Sequence, residues 1–299
     1  MTRPSHHITE QRALTVLISG AMLLSFSPVF VKLAHVAPTV SGFYRVLFGA
    51  LFLGAAAGLR RLTWHAPGQV YSLLVLCGLF FGLDLYFWHI SIHYVGPGLA
   101  TILSNFQVFF LGLTGVCFLG EQPGRRLILA VPLAMVGLVM IVGVHWGQLG
   151  PQYKTGLAFG LITALCYTAY LLTLRKVQSH WAGLDPLAGL TIVTLAAALF
   201  LGVVVWIEGS SFAIPDRRTL AALVSLGLGC QAFGWMLIAW ALPGIRASLA
   251  GLCLMMQPAL SFVWDMAIFQ RPTTGVNLAG VVLTLGAIYL GSTTSGKVE

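Results

Sequence analysis

Apolar residues run along this chain in ten blocks, each about as long as one membrane crossing and each bounded by charge, proline or glycine. The blocks fall near residues 13 to 34, 38 to 59, 70 to 94, 97 to 119, 126 to 145, 155 to 175, 186 to 207, 219 to 241, 246 to 269 and 274 to 292. A helix rising ~1.5 Å per residue needs about 20 mostly apolar residues to cross ~30 Å of hydrocarbon. The pattern predicts an all-α polytopic membrane protein with ten transmembrane helices. Turn-forming pairs and triplets close the connections: Ala37-Pro38, Gly96-Pro97-Gly98, Gln122-Pro123-Gly124, Asp185-Pro186 and Pro243-Gly244. No connection has room for a soluble domain. The first block includes Pro28 and Lys32 and lacks an A-x-A cleavage site, so it is expected to stay as a span and not leave as a signal peptide.

Composition agrees. Only 8% of the 299 residues are Asp, Glu, Lys or Arg, 58% are apolar, and the mean hydropathy is +0.91. Soluble folds of this size are roughly 25% charged, so a water-soluble fold is excluded.

The net charge of +8 does not indicate nucleic acid, because the basic residues come as scattered pairs such as Arg60-Arg61, Arg125-Arg126 and Arg217-Arg218 and gather on no single face. They orient the spans instead. With a cytoplasmic N-terminus the inner side carries Arg3, Arg12, Arg60, Arg61, Arg125, Arg126, Arg175, Lys176, Arg246 and Lys297; the outer side carries only Lys32, Lys154, Arg217, Arg218 and Arg271. This excess predicts that both termini are cytoplasmic in a bacterial-type inner membrane. Cys77, Cys117, Cys166, Cys230 and Cys253 all lie in apolar blocks without CxxC spacing, and read as small packing residues.

Residues 38 to 54 and 186 to 202, at an offset of 148, match at seven of 17 positions, Pro38 with Pro186, Leu47 with Leu195, and Ala50 to Gly54 with Ala198 to Gly202. An offset of 150 pairs Leu99-Ala100 with Leu249-Ala250 and Gln107 with Gln257. Each half holds five spans, an odd number, so a second copy enters the bilayer from the opposite side. The expected organisation is a segment 1–12, a first repeat 13–146, a linker 147–154, a second, inverted repeat 155–292 and a tail 293–299, with a central cavity between the repeats. Inverted repeats place a site at the midplane that can open to either side.

Lys32 closing the first span, Phe43-Tyr44-Arg45 in the second and Leu119-Gly120-Glu121 ending the fourth resemble the EamA-type branch of the drug/metabolite transporter superfamily. Within it, Ser104-Asn105-Phe106-Gln107 with Tyr167 is similar to bacterial aromatic amino acid exporters. The second half departs from the pattern, with Gln270-Arg271 in place of Gly-Glu and Val193 opposite Arg45. The resemblance implies export of amino acids, aromatic ones included, and places Tyr167 at the substrate site.

Polar groups within hydrocarbon face protein or a water-filled cavity, or reach an interface. Gln107 and Gln257 lie roughly 15 Å from their span ends, and Ser25, Tyr167 and Gln231 roughly 18 Å. Gln107 and Gln257 are expected to face the cavity as a pseudo-symmetric pair able to hold a zwitterion; the plainer reading is an interhelical hydrogen bond. Asn105 and Phe106 adjoin them, and Tyr167, Tyr170 and Trp235 would supply an aromatic wall. Arg45 and Asp84 sit at similar depth and are expected either to pair or to leave Asp84 facing the cavity, where it could carry a proton. Lys32 and Asp265 read as snorkelling charges, and Glu121 as an anchor for the Arg125-Arg126 loop. His89 and His93 share a helix face at i, i+4, but with no third ligand in view, so no metal is expected. The Gly-x-x-x-Gly runs at Gly54, Gly78 and Gly156 read as close helix packing. No nucleotide-binding or nucleophile motif appears in the sequence. The expected function is a gradient-driven secondary transporter, not an enzyme, with a small-molecule substrate and the lipid bilayer as partners, no cofactor, and a monomer as the working unit. Export of other metabolites or cationic drugs, or a membrane-embedded enzyme, are the competing readings.

Overall fold

A computed structural model describes residues 10–62, 66–143, 152–181, 184–270 and 272–292, with side chains described at all of these except 96–98. Residues 1–9 of the expected N-terminal segment 1–12, the expected tail 293–299, most of the linker, and Arg271 lie outside the described residues. Among the described residues ten helices are long and apolar enough to cross a membrane: α1 Glu10–Leu33, α2 Pro38–Leu59, α3 Gly68–Val95, α4 Leu99–Phe118, α5 Arg125–Val142, α6 Tyr153–His180, α7 Pro186–Ile207, α8 Arg217–Gly244, α9 Ala247–Phe269 and α10 Gly275–Ser292. Among the described residues there is no strand.

Proline and glycine account for where the helices start and turn. α2 and α7 are both 22 residues long and both begin on a proline in the first turn, where its missing N–H costs nothing. Asp185 caps α7 by accepting from the Leu187 N–H at 2.9 Å. Helical hydrogen bonding continues from Gly68 to Ser104, through residues 96–98. The chain nevertheless reverses there: Ser91 and Leu103 both lie against Gly160, whereas twelve residues of straight helix would separate them by about 18 Å.

Three spans are broken near their middles. α1 consists of Glu10–Leu24 and Ser27–Leu33, α4 breaks at Asn105–Phe106, and α9 consists of Ala247–Leu254 and Met256–Phe269. Pro28 and Pro258 have no N–H to give the carbonyl four residues earlier, and the first pieces end there, at Leu24 and Leu254. In α4 an asparagine substitutes for proline. The Asn105 side-chain amide donates to the Thr101 carbonyl at 2.8 Å, competing with the helical ladder, and the next bonds tighten to three-residue spacing. α8 contains a wider π-type segment, Leu226–Gly234.

Close packing follows two of the three expected glycine pairs. Gly78 and Gly82 of α3 lie against Val193, Ala196 and Phe200 of α7, and Gly156 and Gly160 of α6 against Tyr94, Val95 and Leu103. Gly58 has nothing within 4 Å, so the Gly54–Gly58 pair is not a tight contact. Cys117 is exposed and is not a core residue, unlike the buried Cys77, Cys230 and Cys253.

Candidate functional site: a cavity between the broken helices

A cavity of about 510 Å³ opens between α1, α3, α4 and α9. Asp84, Leu85 and Trp88 line it from α3, Thr101, Ser104 and Asn105 from α4, Tyr167 from α6, and Arg45 from α2. The second half of α9 contributes Gln257, Ser261, Asp265 and Phe269, one residue per turn at four-residue spacing. The cavity runs from the midplane breaks to the face opposite the N-terminus, where Lys32 and Asp265 pair at 2.9 Å. These two are therefore partners at the mouth and do not snorkel independently; the Lys32 ammonium also lies 4.1 Å from the Phe269 ring centroid.

Arg45 and Asp84 both reach the cavity, but among the described residues they form no ion pair with each other. The expected pairing is replaced by a different tether. The Arg45 Nε–H donates to the Gln231 side-chain oxygen Oε1 at 3.1 Å, and the Gln231 side-chain amide donates to the Thr194 hydroxyl at 3.4 Å. Gln231 thus sits behind the wall and aims the guanidinium. Tyr167 lies with its hydroxyl beside the Gln257 side chain.

Several expected site residues do not line the cavity. Ser25 is buried, donates to the Met22 carbonyl at 2.6 Å and accepts from the Trp264 indole N–H at 2.8 Å, tying the α1 break to α9. Phe106 packs against the core. Tyr170 and Trp235 are fully buried behind Tyr167, with ring centroids 4.8 Å apart, so only Tyr167 of that cluster touches the cavity. Gln107 is 1% exposed, and neither its amide nitrogen nor its oxygen finds a partner among the described residues. An amide group left unpaired in the interior costs about 1–3 kcal/mol.

On the N-terminal face the protein is closed. The Glu121 carboxylate accepts from the Ala247 N–H at 2.5 Å, the Ser248 N–H at 3.2 Å and the Ser248 hydroxyl at 2.7 Å, and pairs with Arg175 at 3.3 Å. It thereby caps the first turn of α9 and does not anchor the Arg125-Arg126 loop. Beside it, Arg246 lies 3.7 Å from Glu10. Among the described residues no three metal-ligating side chains converge, and His93 is exposed.

Trp88, Thr101 and Ser261 also line the wall without having been singled out in the sequence as site residues. Helical spacing would have found them: Trp88 stands one turn from Asp84, Thr101 one turn from Asn105, and Ser261 one turn from Gln257.

A family model described as "EamA-like transporter family" matches residues 11–143 and again 154–293. The chain belongs to this family. Each match covers five of the ten helices, α1 to α5 and α6 to α10. As an EamA-like membrane transporter it is similar to the uncharacterized transporter YvbV of Bacillus subtilis, 24% identical over 88% of this chain and 85% of that protein. It is also similar to a probable amino-acid metabolite efflux pump of Salmonella typhimurium, 22% identical over 93% of each chain. A solved crystal structure shares the fold, with a TM-score of 0.79 at 18% identity, covering 94% of this chain and 98% of the other.

Proposed function

We propose that this EamA-like transporter is a secondary transporter that exports small amphipathic organic solutes, amino acids including aromatic ones, by alternating access of two inverted five-helix repeats. The observation that carries the reading is the cavity itself. It reaches the midplane, holds the Arg45 guanidinium and the Asp84 carboxyl without a direct ion pair between them, and is sealed on one face by Glu121. Arg45 and Asp84 are suited to the carboxylate and ammonium of a zwitterion, while Trp88, Tyr167 and Phe269 offer apolar and aromatic surface to a side chain. The name of the Salmonella relative points to the same solute class.

The basic-residue asymmetry puts both termini in the cytoplasm, and the cavity then faces outward. The division at residues 147–154 separates the two repeats that rock against one another. The test is flux of radiolabelled L-phenylalanine into proteoliposomes. Saturable uptake that competes with other amino acids is expected. Absence of saturable uptake together with chemical conversion of a lipid or solute would overturn the reading in favour of an enzyme.

A further inference from the structure

Gln107 and Gln257 are 150 residues apart, and so are the helix breaks that precede them, at Asn105 and Met255. The two broken helices are nevertheless used unequally. The part of α4 after its break, Gln107–Phe118, packs against the part of α9 before its break, Ala247–Leu254. The fit is close: a methyl added at Gly251 would meet Leu111 at 3.0 Å and the Val108 backbone at 3.3 Å. The remaining parts, residues 99–104 and Met256–Phe269, stand apart and hold the cavity between them. Gln257, on the open side, reaches the cavity; Gln107, on the closed side, is buried with both amide atoms unpartnered among the described residues.

Two inverted copies have two near-equivalent packings, in which each copy adopts the arrangement the other held. Exchange would separate Gln107–Phe118 from Ala247–Leu254 and bring residues 99–104 against Met256–Phe269. We propose that in the state open to the N-terminal face Gln107 takes the place Gln257 holds here, turning its amide to the substrate, while Gln257 becomes the enclosed one. The substrate then meets one glutamine on each side of the cycle. This inference rests on the alternating-access reading above. It accounts for the unpartnered amide, because a glutamine whose role is to join helices would be bonded to a neighbouring helix in this packing.

The test uses a variant lacking the five native cysteines that retains flux, into which Gln107→Cys or Gln257→Cys is introduced. A membrane-impermeant methanethiosulfonate is applied to one face of oriented vesicles at a time. Gln107→Cys is expected to react about ten-fold faster from the N-terminal face than from the opposite face, and Gln257→Cys to show the reverse preference. Gln107→Cys that supports flux but reacts from neither face, while Gln257→Cys reacts from the opposite face, overturns the role of Gln107 and leaves alternating access standing. Absence of flux in the unsubstituted protein overturns both. Gln107→Leu, of similar size and suited to the buried position, supplies a second readout. Apparent affinity for L-phenylalanine should fall by about ten-fold from the N-terminal face and change little from the opposite face. An equal loss from both faces, or none from either, overturns the proposal.

Discussion

Lys32 of α1 and Asp265 of α9 meet at 2.9 Å across the mouth of the cavity, joining the second halves of two broken helices. Their side chains are 53% and 25% exposed, so solvent screens the pair and its contribution to stability is about 0–1 kcal/mol. Asp265→Asn and Lys32→Gln should therefore leave the melting temperature within about 3 °C of the parent. Transport should respond more than stability, because each change alters the net charge at the entrance, by opposite signs in the two variants. Flux of charged amino acids measured at low and high salt is expected to separate the two variants in opposite senses, with the difference shrinking at high salt.

Glu121 is the opposite case. Its side chain is 6% exposed and holds the start of α9 and Arg175 together on the N-terminal face. Glu121→Ala would leave the first N–H groups of α9 and a mostly buried guanidinium without their acceptor. A loss of about 3–5 kcal/mol is expected, seen as a large fall in melting temperature in detergent. Closure on that face should weaken as well, so that Ser248→Cys reacts faster with an impermeant thiol reagent when Glu121 is replaced by Gln, a variant that retains an acceptor oxygen but not the charge.

Hydropathy alone was sufficient for the ten spans, because each must satisfy its own backbone in lipid and so has to be a long apolar helix. The shared proline starts of α2 and α7 were equally legible. The side-chain arrangement was less so. Depth counting placed Gln107, Gln257, Ser25 and Gln231 near the midplane but could not tell which side of a helix each presents, and only Gln257 of the four reaches the cavity. On the alternating-access proposal that choice depends on which repeat is closed, and two near-equal packings of one sequence would leave no trace of it in the residue order. The Lys32–Asp265 and Glu121–Ser248 contacts join residues more than 120 positions apart, beyond any local pattern. The α4 break was hidden because asparagine, not proline, makes it.

Outside the membrane, Asp216 caps the start of α8. Its carboxylate accepts from the Thr219 N–H at 2.7 Å and the Thr219 hydroxyl at 3.0 Å, with His35 at 3.4 Å. The Thr219 backbone bond foremost holds its carboxyl below the ordinary value of 3.8. A carboxyl depressed on folding contributes stability that is present above its unfolded value and is lost as pH falls through the folded one. Melting temperature should therefore decline below about pH 4 in the parent. Asp216→Asn, which can still cap, should flatten that decline with little loss near neutral pH, whereas Asp216→Ala should lower stability at neutral pH as well. Thermal melts across pH 2.5 to 7 would separate the three, and an unchanged slope in Asp216→Asn would remove Asp216 from the acid response.

Arg45 and Asp84 give the most direct chemical test of the cavity, because one presents a guanidinium and the other a carboxyl group, and they are not bonded to each other. A charge-assisted hydrogen bond contributes about 1.5–3 kcal/mol, equivalent to roughly ten- to a hundred-fold in affinity. Asp84→Asn is expected to weaken transport of amino acids by at least that lower factor while sparing analogues that lack the amino group. Arg45→Lys keeps the charge but loses the planar fork and the Nε–H that Gln231 holds, so it should fail on the carboxylate end and spare amino acid amides. Gln231→Leu should mimic Arg45→Lys in milder form, since it frees the guanidinium without removing it. Competition by phenylalanine, phenylalanine amide and 3-phenylpropionate against radiolabelled phenylalanine reads all three variants in one assay. If Asp84→Asn loses affinity equally for the compound without an amino group, the carboxylate is not the ammonium partner and its role in the cavity is something other than substrate recognition.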